Sequence, residues 1–256
     1  MTILDALRVR VSQGTQYITD LRKPAIAGLR GRPRIGSTPC ADGCSACAEA
    51  CPTGAIATDP LALDLGRCAF CTECVSACPE GKISFTSDPR MAATRREGLV
   101  LAEGQQAIDP VTGGERMRAM FGRSLRLRQV SAGGCNGCEL ELSALANVNF
   151  DLQRFGIEWV ASPRHADALV LTGPLTKNMS DAVRLVWDAL PEPRFVIAFG
   201  ACAISGGLYA NAAGVQRTFL DDVIPALFVP GCPPHPLTFV HAILDFLGIS
   251  RVMRAP

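Results

Sequence analysis

The sequence carries almost no net charge, since 25 Lys and Arg face 24 Asp and Glu among its 256 residues. A general nucleic-acid-binding surface is therefore not indicated. Apolar residues make up 48% of the chain, which argues against disorder and is enough for one or two packed domains. No glycine-rich phosphate loop of either common type is present, so a nucleotide site is not supported.

We also expect neither a secretory signal nor a membrane span. Its first apolar residues are interrupted by Asp5 and Arg8. Two uncharged stretches, 195–216 and 223–244, are long enough to be considered as spans, but glycines interrupt the first and prolines the second. We therefore expect no transmembrane segment. Without export, metal ligation is a better expectation for cysteines than disulfides.

Cysteine, in contrast, is abundant, and eight of the twelve lie in an internal repeat. Residues 40–56 resemble residues 68–84, and each copy ends in Cys-Pro-x-Gly-x-Ile. The second copy has the spacing C-x2-C-x2-C-x3-C-P of bacterial ferredoxins with two 4Fe–4S clusters, in which the fourth cysteine ligates the neighbouring cluster. The first copy has one extra residue between its first two cysteines. The spacing predicts two crossed ligand sets: Cys40, Cys44, Cys47 and Cys78 for one cluster, and Cys68, Cys71, Cys74 and Cys51 for the other.

Two zinc sites are the alternative, because four thiolates also suit zinc. Zinc motifs usually pair two knuckles across a spacer, whereas here four cysteines fall within about twelve residues and a proline follows. This arrangement favours iron–sulfur clusters.

From about Leu125 onward, short apolar strands alternate with amphipathic helices. The predicted strands are Leu125–Ser131, Ile157–Ala161, Ala168–Thr172, Phe195–Phe199 and Ala226–Val229. The predicted helices are Cys138–Phe155, Lys177–Leu190 and Pro236–Leu247. This alternation predicts an α/β fold with a flavodoxin-like, doubly wound parallel sheet, preceded by a small α+β dicluster ferredoxin domain.

The last four cysteines follow three of these strands, each beside glycine or proline. They are Cys135, Cys138, Cys202 and Cys232. Because the carboxyl ends of parallel strands meet at one edge of a sheet, we expect the four thiols to hold a third 4Fe–4S cluster there. Taken singly, a lone cysteine can simply be buried. A thioredoxin-like pair at Cys135 and Cys138 is a further alternative, but it leaves the other two unexplained.

Charge and composition suggest four segments. We expect a basic extension at 1–36, a dicluster 4Fe–4S domain at 37–88, a linker at 89–124 with a short helix near 115–121, and the α/β domain at 125–256. Residues 2–21 suggest a loosely amphipathic helix, expected to pack on the chain itself or on a partner in preference to a membrane surface.

Both cysteine-bearing regions resemble known families. Residues 29–33 (LRGRP), the two cysteine runs and residues 65–71 (LGRCAFC) resemble the ferredoxin-like subunit of membrane-bound hydrogenases, formate hydrogenlyase and respiratory complex I. Residues 129–248 resemble the small subunit of energy-converting nickel–iron hydrogenases and its complex I relative. The similar segments are 162–167, 171–177, 191–194, 200–207 and 230–234. Complex I members carry adjacent cysteines where this chain has Cys135-x2-Cys138, which favours the hydrogenase branch.

The resemblance implies an electron-transfer subunit with three 4Fe–4S clusters, peripheral on the cytoplasmic face of the membrane. Its implied partners are a hydrogenase-type large subunit, which carries the catalytic metal, and integral membrane proteins. The alternatives are the equivalent subunit of a complex I-like quinone or ferredoxin oxidoreductase lacking nickel, and a stand-alone ferredoxin-like carrier. Glu139 and Glu141 follow Cys138 at a helix start; each either stabilises that helix terminus or relays protons.

Overall fold

The computed structural model describes residues 2–14, 18, 20–23, 28–105, 108, 111–122 and 124–249. The elements up to residue 102 are α1 (Ile3–Gln13), β1 (Pro33–Ile35), α2 (Ala46–Glu49), β2 (Ile56–Thr58), β3 (Leu61–Asp64), α3 (Glu73–Ala77), β4 (Ile83–Phe85) and β5 (Val100–Ala102). Those that follow are α4 (Gly114–Phe121), β6 (Leu125–Ser131), α5 (Gly137–Ala144), β7 (Ile157–Trp159), β8 (Ala168–Thr172), α6 (Lys177–Ala189), β9 (Phe195–Phe199), α7 (Ala201–Ser205), α8 (Thr218–Asp222), β10 (Leu227–Val229) and α9 (Pro236–Phe246).

The second half of the chain forms a five-stranded parallel sheet. Its strand order is β10-β9-β8-β6-β7, and every neighbouring pair is parallel. All five residues of β8 and of β9 are buried, as expected for strands covered on both faces. The order reverses direction between β6 and β8, which is the doubly wound, flavodoxin-like arrangement. The predicted α/β fold class is confirmed.

The helix predicted over residues 138–155 is shorter in the structure. Helix α5 ends at Ala144, and a separate 3-10 helix covers Leu152–Phe155. The side chain of Asn147 accepts hydrogen bonds from the backbone N–H groups of Asn149 (2.9 Å) and Phe150 (3.3 Å). Such a local side-chain turn competes with helical hydrogen bonding, which explains the early end.

The cysteine repeat folds into two matching halves. Each copy contributes a short helix followed by a strand, α2 with β2 and then α3 with β4. Strand β1 pairs antiparallel with β4, and β2 pairs antiparallel with β3. Strand β5, from the segment predicted as a linker, joins this second sheet beside β3.

The repeat packs directly against the parallel sheet. Ala198, Ile204 and Phe228 of the sheet side share one buried cluster with Leu65 and Leu99 of the other side. The backbones of Ala93 and Phe228 exchange two hydrogen bonds of 3.1 and 2.8 Å, so residue 93 covers the edge of β10. Since this core is shared, the cysteines of the repeat and those of the parallel-sheet region are held in fixed positions relative to one another.

The first helix makes no such contact. No residue of α1 is buried, and its apolar side chains Ile3, Leu4 and Val11 are among the most exposed in the described chain. The helix predicted over residues 2–21 therefore covers Ile3–Gln13, while positions 15–17 and 19 lie outside the described residues. Packing on the chain's own body is observed for the end of the predicted segment, where Ile18 and the fully buried Leu21 join the core of the parallel sheet, but not for α1 itself.

Candidate functional site

Four cysteines from both copies of the repeat line one cavity of about 300 Å³. They are Cys40, Cys44, Cys47 and Cys78, here called group 1. Cys47 is buried on α2, whereas Cys78 comes from the end of α3. Burial raises the pKa of Cys47, and the thiol of Cys78 raises it further. The structure thus places the last cysteine of the second copy with the first three of the first copy.

The reciprocal set lines a second cavity. Group 2 consists of Cys51, Cys68, Cys71 and Cys74. Burial raises the pKa of Cys68 to about 12 and that of Cys74 to about 11. Such thiols stay protonated unless a bound cation stabilises their thiolates, so they suit metal ligation better than free nucleophilic chemistry.

Backbone amides point at the sulfurs of these groups. The N–H groups of Ala55, Phe70 and Lys82 donate to the Sγ atoms of Cys51 (3.2 Å), Cys68 (3.3 Å) and Cys78 (3.3 Å). Between Cys68 and Cys74, Phe70 and Thr72 adopt positive φ angles of 55° and 75°. A left-handed backbone is costly for these residues, and it wraps the loop around the cavity.

Group 3 forms at the carboxyl edge of the parallel sheet. Its members are Cys135, Cys138, Cys202 and Cys232, which follow strands β6, β9 and β10. The thiols of Cys135, Cys202 and Cys232 all lie close enough to Cys138 to raise its pKa, with burial as the largest cause. Burial also raises the pKa of Cys202 to about 11. The structure therefore brings together the four cysteines that the strand pattern placed at one edge.

Two glycines leave room for the group 3 sulfurs. A Cβ on Gly200 would lie 2.7 Å from the Cys138 Sγ, and one on Gly207 would lie 3.0 Å from the Cys202 Sγ. Both glycines have positive φ, 92° and 54°. The close approach of backbone to sulfur makes a cradle that any side chain would fill. Four thiols around this cradle fit a bulky four-iron cluster. In groups 1 and 2, the four thiols of each group, with their amide donors, fit one such cluster as well.

Group 2 interacts electrostatically with both of the other groups. The thiol of Cys47 in group 1 interacts electrostatically with Cys74 in group 2. The thiol of Cys71 in group 2 likewise interacts with Cys232 in group 3. Group 2 is therefore in the middle. Across the described parts of the chain, no three His, Cys, Asp or Glu side chains are placed to share a single metal ion.

The two glutamates beside group 3 differ in their surroundings. Burial opposes ionisation of Glu139, but hydrogen bonds from the Thr172 hydroxyl (2.6 Å) and from Ser131 lower its pKa overall. Burial raises the pKa of Glu141. Glu139 is thus a fixed carboxylate, whereas Glu141 is the one whose proton is held more tightly.

Arg217 supports group 3, although its sequence context gave no sign of this. Its guanidinium donates to four backbone carbonyl oxygens: those of Pro174 (3.3 Å), Cys202 (3.0 Å), Ala203 (2.7 Å) and Ile204 (2.9 Å). Three of these belong to α7, whose last carbonyls have no helical partner. Arg217 therefore fixes the short helix that carries Cys202, through contacts that no local motif predicts.

Replacing Arg217 with methionine should loosen this helix. Hydrogen bonds from a charged donor each contribute about 1.5–3 kcal/mol, and methionine retains the length but none of the donors. We expect a lower thermal midpoint and a partial loss of any metal that group 3 holds, measured as iron content after gel filtration. Arg184→Met is the control, because Arg184 forms an exposed ion pair with Asp222; equal losses in both variants would contradict this role.

None of the helices in the described residues is both long and apolar enough to cross a bilayer.

Comparison with known proteins identifies the region that holds group 3. Residues 135–246 match the family model described as NADH ubiquinone oxidoreductase, 20 Kd subunit. This range begins at Cys135 and includes all four cysteines of group 3.

Three relatives illustrate the breadth of the similarity. A probable membrane-bound hydrogenase subunit of Pyrococcus furiosus is 42% identical, over 48% of this chain and 74% of the relative. Formate hydrogenlyase subunit 7 of Escherichia coli is 40% identical, over 50% of each chain. NADH-quinone oxidoreductase subunit 6 of Thermus thermophilus is 44% identical, over 42% of this chain and 60% of the relative. The match thus covers less than two thirds of the second and third relatives. The family model and the first of these relatives show that the chain belongs to the NADH ubiquinone oxidoreductase 20 Kd subunit family, whose members include subunits of oxidoreductase complexes.

Proposed function

We propose that this chain is an electron-transfer subunit carrying three 4Fe–4S clusters in a membrane-associated, energy-converting hydrogenase-type complex. The observation that carries the proposal is the arrangement of the twelve cysteines. They form three groups of four, and neighbouring groups interact electrostatically through Cys47 with Cys74 and through Cys71 with Cys232. Redox sites arranged one after another carry electrons from one end of a molecule to the other.

Each group supplies the ligands for one cluster. Group 1 is lined by Cys40, Cys44, Cys47 and Cys78, group 2 by Cys51, Cys68, Cys71 and Cys74, and group 3 by Cys135, Cys138, Cys202 and Cys232. When bound, the clusters supply one-electron transfer. The chain's own contribution is to hold the thiolates, to donate amide hydrogen bonds to their sulfurs and to fix the spacing of the groups.

We assign group 3, at one end of the series of cysteine groups, to the surface where a partner subunit docks. It lies at the carboxyl edge of the sheet, where Cys135 and Cys232 are exposed. Relatives over this region are named as hydrogenase and formate hydrogenlyase subunits. We infer that a large subunit with the catalytic metal docks at this edge and interconverts protons and H2. The complex would lie on the cytoplasmic face of the membrane through integral membrane partners. Of the two glutamates, Glu141, whose pKa is raised by burial, is the candidate proton relay.

A complex I-like quinone or ferredoxin oxidoreductase without nickel is the second candidate. The NADH-quinone oxidoreductase relative is as similar to this chain as the hydrogenase relative, 44% against 42% identity. Identity alone thus does not separate the two. The spacing of Cys135 and Cys138 favours the hydrogenase branch.

Metal analysis of the anaerobically purified complex tests the proposal. We expect about twelve irons and about twelve acid-labile sulfides for each copy of this chain, together with nickel in a co-purifying large subunit. Iron without nickel would favour the second candidate. About three zincs and no sulfide would refute the electron-transfer role. A chain that carries iron but purifies alone, from gently solubilised membranes as well as from the soluble fraction, would indicate a stand-alone carrier.

A further inference from the structure

A buried lysine occupies the cavity of group 1. Lys82 is only 4% exposed and lines the cavity with the four cysteines. Its ammonium donates to the carboxylate of Glu103 at 2.6 Å and also interacts with the thiol of Cys40. The ion pair with Glu103 holds the positive charge of Lys82 in this cavity.

The equivalent position of group 2 is occupied by alanine. Lys82 and Ala55 are each the fourth residue after the last cysteine of a repeat copy. Each donates its backbone N–H to that cysteine, at 3.3 Å for Lys82 to Cys78 and 3.2 Å for Ala55 to Cys51. Both are buried, and each lines the cavity of its own group. The two sites thus match in backbone geometry and differ by one buried positive charge.

The other charges near the two groups are exposed to water or paired: half-buried Asp64, whose carbonyl accepts from the Cys68 N–H, forms an ion pair with Arg96 at 2.6 Å. Asp59 also lines the cavity of group 1, and Arg30 donates to the carbonyl of Phe70 beside group 2, but both side chains belong to exposed residues. Glu103 is half-exposed, with 43% of its side chain accessible. Because solvent screens exposed charges more than buried ones, the Lys82 ammonium dominates this difference.

We propose that Lys82 raises the reduction potential of the cluster site in group 1 above that of the site in group 2. This inference rests on the proposed function, since it requires both groups to hold 4Fe–4S clusters. Reduction of each site adds one electron, with no proton and no bond made or broken. A nearby positive charge stabilises the added electron, and local charge is among the determinants of iron–sulfur potentials. A single electron shared between the two sites then resides on group 1, the end farther from group 3.

Two substitutions should shift the potential in opposite directions. Lys82→Met keeps the length of the buried side chain and removes its charge, leaving Glu103 able to turn to water. We expect the ratio of reduced to oxidised group 1, at a fixed potential, to fall by about tenfold, which is about 59 mV for a one-electron couple. Glu103→Gln leaves the ammonium uncompensated and should raise the same ratio by about threefold. Lys82→Arg should restore the wild-type value.

The measurement is a potentiometric titration of the full chain, reconstituted anaerobically with iron and sulfide and followed by electron paramagnetic resonance. Dithionite supplies the electrons, and the signal lost in Cys44→Ala identifies group 1. Arg126→Met, which removes an ion pair whose partners are each about half exposed, is the control and should shift neither group.

Opposite shifts confined to group 1 support the assignment. Shifts of the same sign, equal shifts in group 2, or no shift in either variant would overturn it. If Lys82→Met assembles no cluster, Glu103→Gln decides alone, and an unmoved potential there counts against the role of Lys82. Absence of any iron–sulfur signal in the wild-type chain would instead refute the proposed function.

Discussion

Replacing Cys78 with alanine should remove the same iron–sulfur signal as replacing Cys44, and should leave intact the signal that depends on Cys74. In the sequence, Cys78 follows Cys74 by four residues and lies far from Cys44. In the structure, Cys78 and Cys44 line one cavity, while Cys74 lines another. Iron content should fall from about twelve to about eight per chain in each single variant, because a four-iron cluster missing one thiolate is poorly retained.

Cys51→Ala is the matched test in the other direction. Cys51 ends the first copy of the repeat, yet it lies with Cys68, Cys71 and Cys74. Replacing Cys51 should therefore remove the same iron–sulfur signal as replacing Cys71. Electron paramagnetic resonance of the reduced chain, recorded beside iron and sulfide analysis, distinguishes the signals. If Cys78 and Cys74 variants instead lose one common signal, while Cys51 groups with Cys44, the ligand sets are not crossed and the assignment of groups 1 and 2 is wrong.

Much of this arrangement follows from local sequence patterns. The bounds of β6, β8 and β9 agree with the predicted strands, because each is an unbroken or alternating run of apolar residues ending at glycine or a small polar residue. The carboxyl ends of parallel strands share an edge, so the meeting of Cys135, Cys138, Cys202 and Cys232 followed from the strand positions alone. The repeat similarly predicted that the last cysteine of each copy lies with the first three of the other copy.

Features that depend on distant contacts were not accessible in this way. Strand β5 pairs with β3, for example Leu101 with Leu63, although the two are far apart in the sequence, and composition alone suggested a linker there. Arg217 reaches back to the carbonyls of α7 through a loop without periodicity. Lys82 is a partial exception, since aligning the repeat copies sets it against Ala55, as it sets Glu80 against Thr53. The burial of Lys82, however, is a property of the packed structure.

Replacing Gly200 with alanine should cost the chain the cluster of group 3 and leave the other two in place. Gly200 precedes α7 with φ 92° and ψ 155°, a region that is essentially restricted to glycine and costs other residues about 1–3 kcal/mol. The new methyl would also lie 2.7 Å from the Cys138 Sγ. It cannot move away easily, because the Gly200 and Ala201 amides are bonded to the carbonyls of Val229 and Gly231 at 2.8 Å. The sulfur must move instead, and one ligand is then out of position. We expect about eight irons per chain to remain, with the signals of groups 1 and 2 unchanged.

Two further glycines separate the causes of this loss. Gly104→Ala introduces a positive-φ alanine (φ 78°) with no heavy atom within 4 Å of the new Cβ, so it carries backbone strain without a clash. Gly214→Ala carries neither, since its φ is not in the left-handed region and its surroundings are open. If contact with Cys138 is decisive, both controls retain about twelve irons and only Gly200→Ala loses four. Equal losses in Gly104→Ala would attribute the effect to general destabilisation, and full iron retention in Gly200→Ala would show that Cys138 is not a ligand held against this turn.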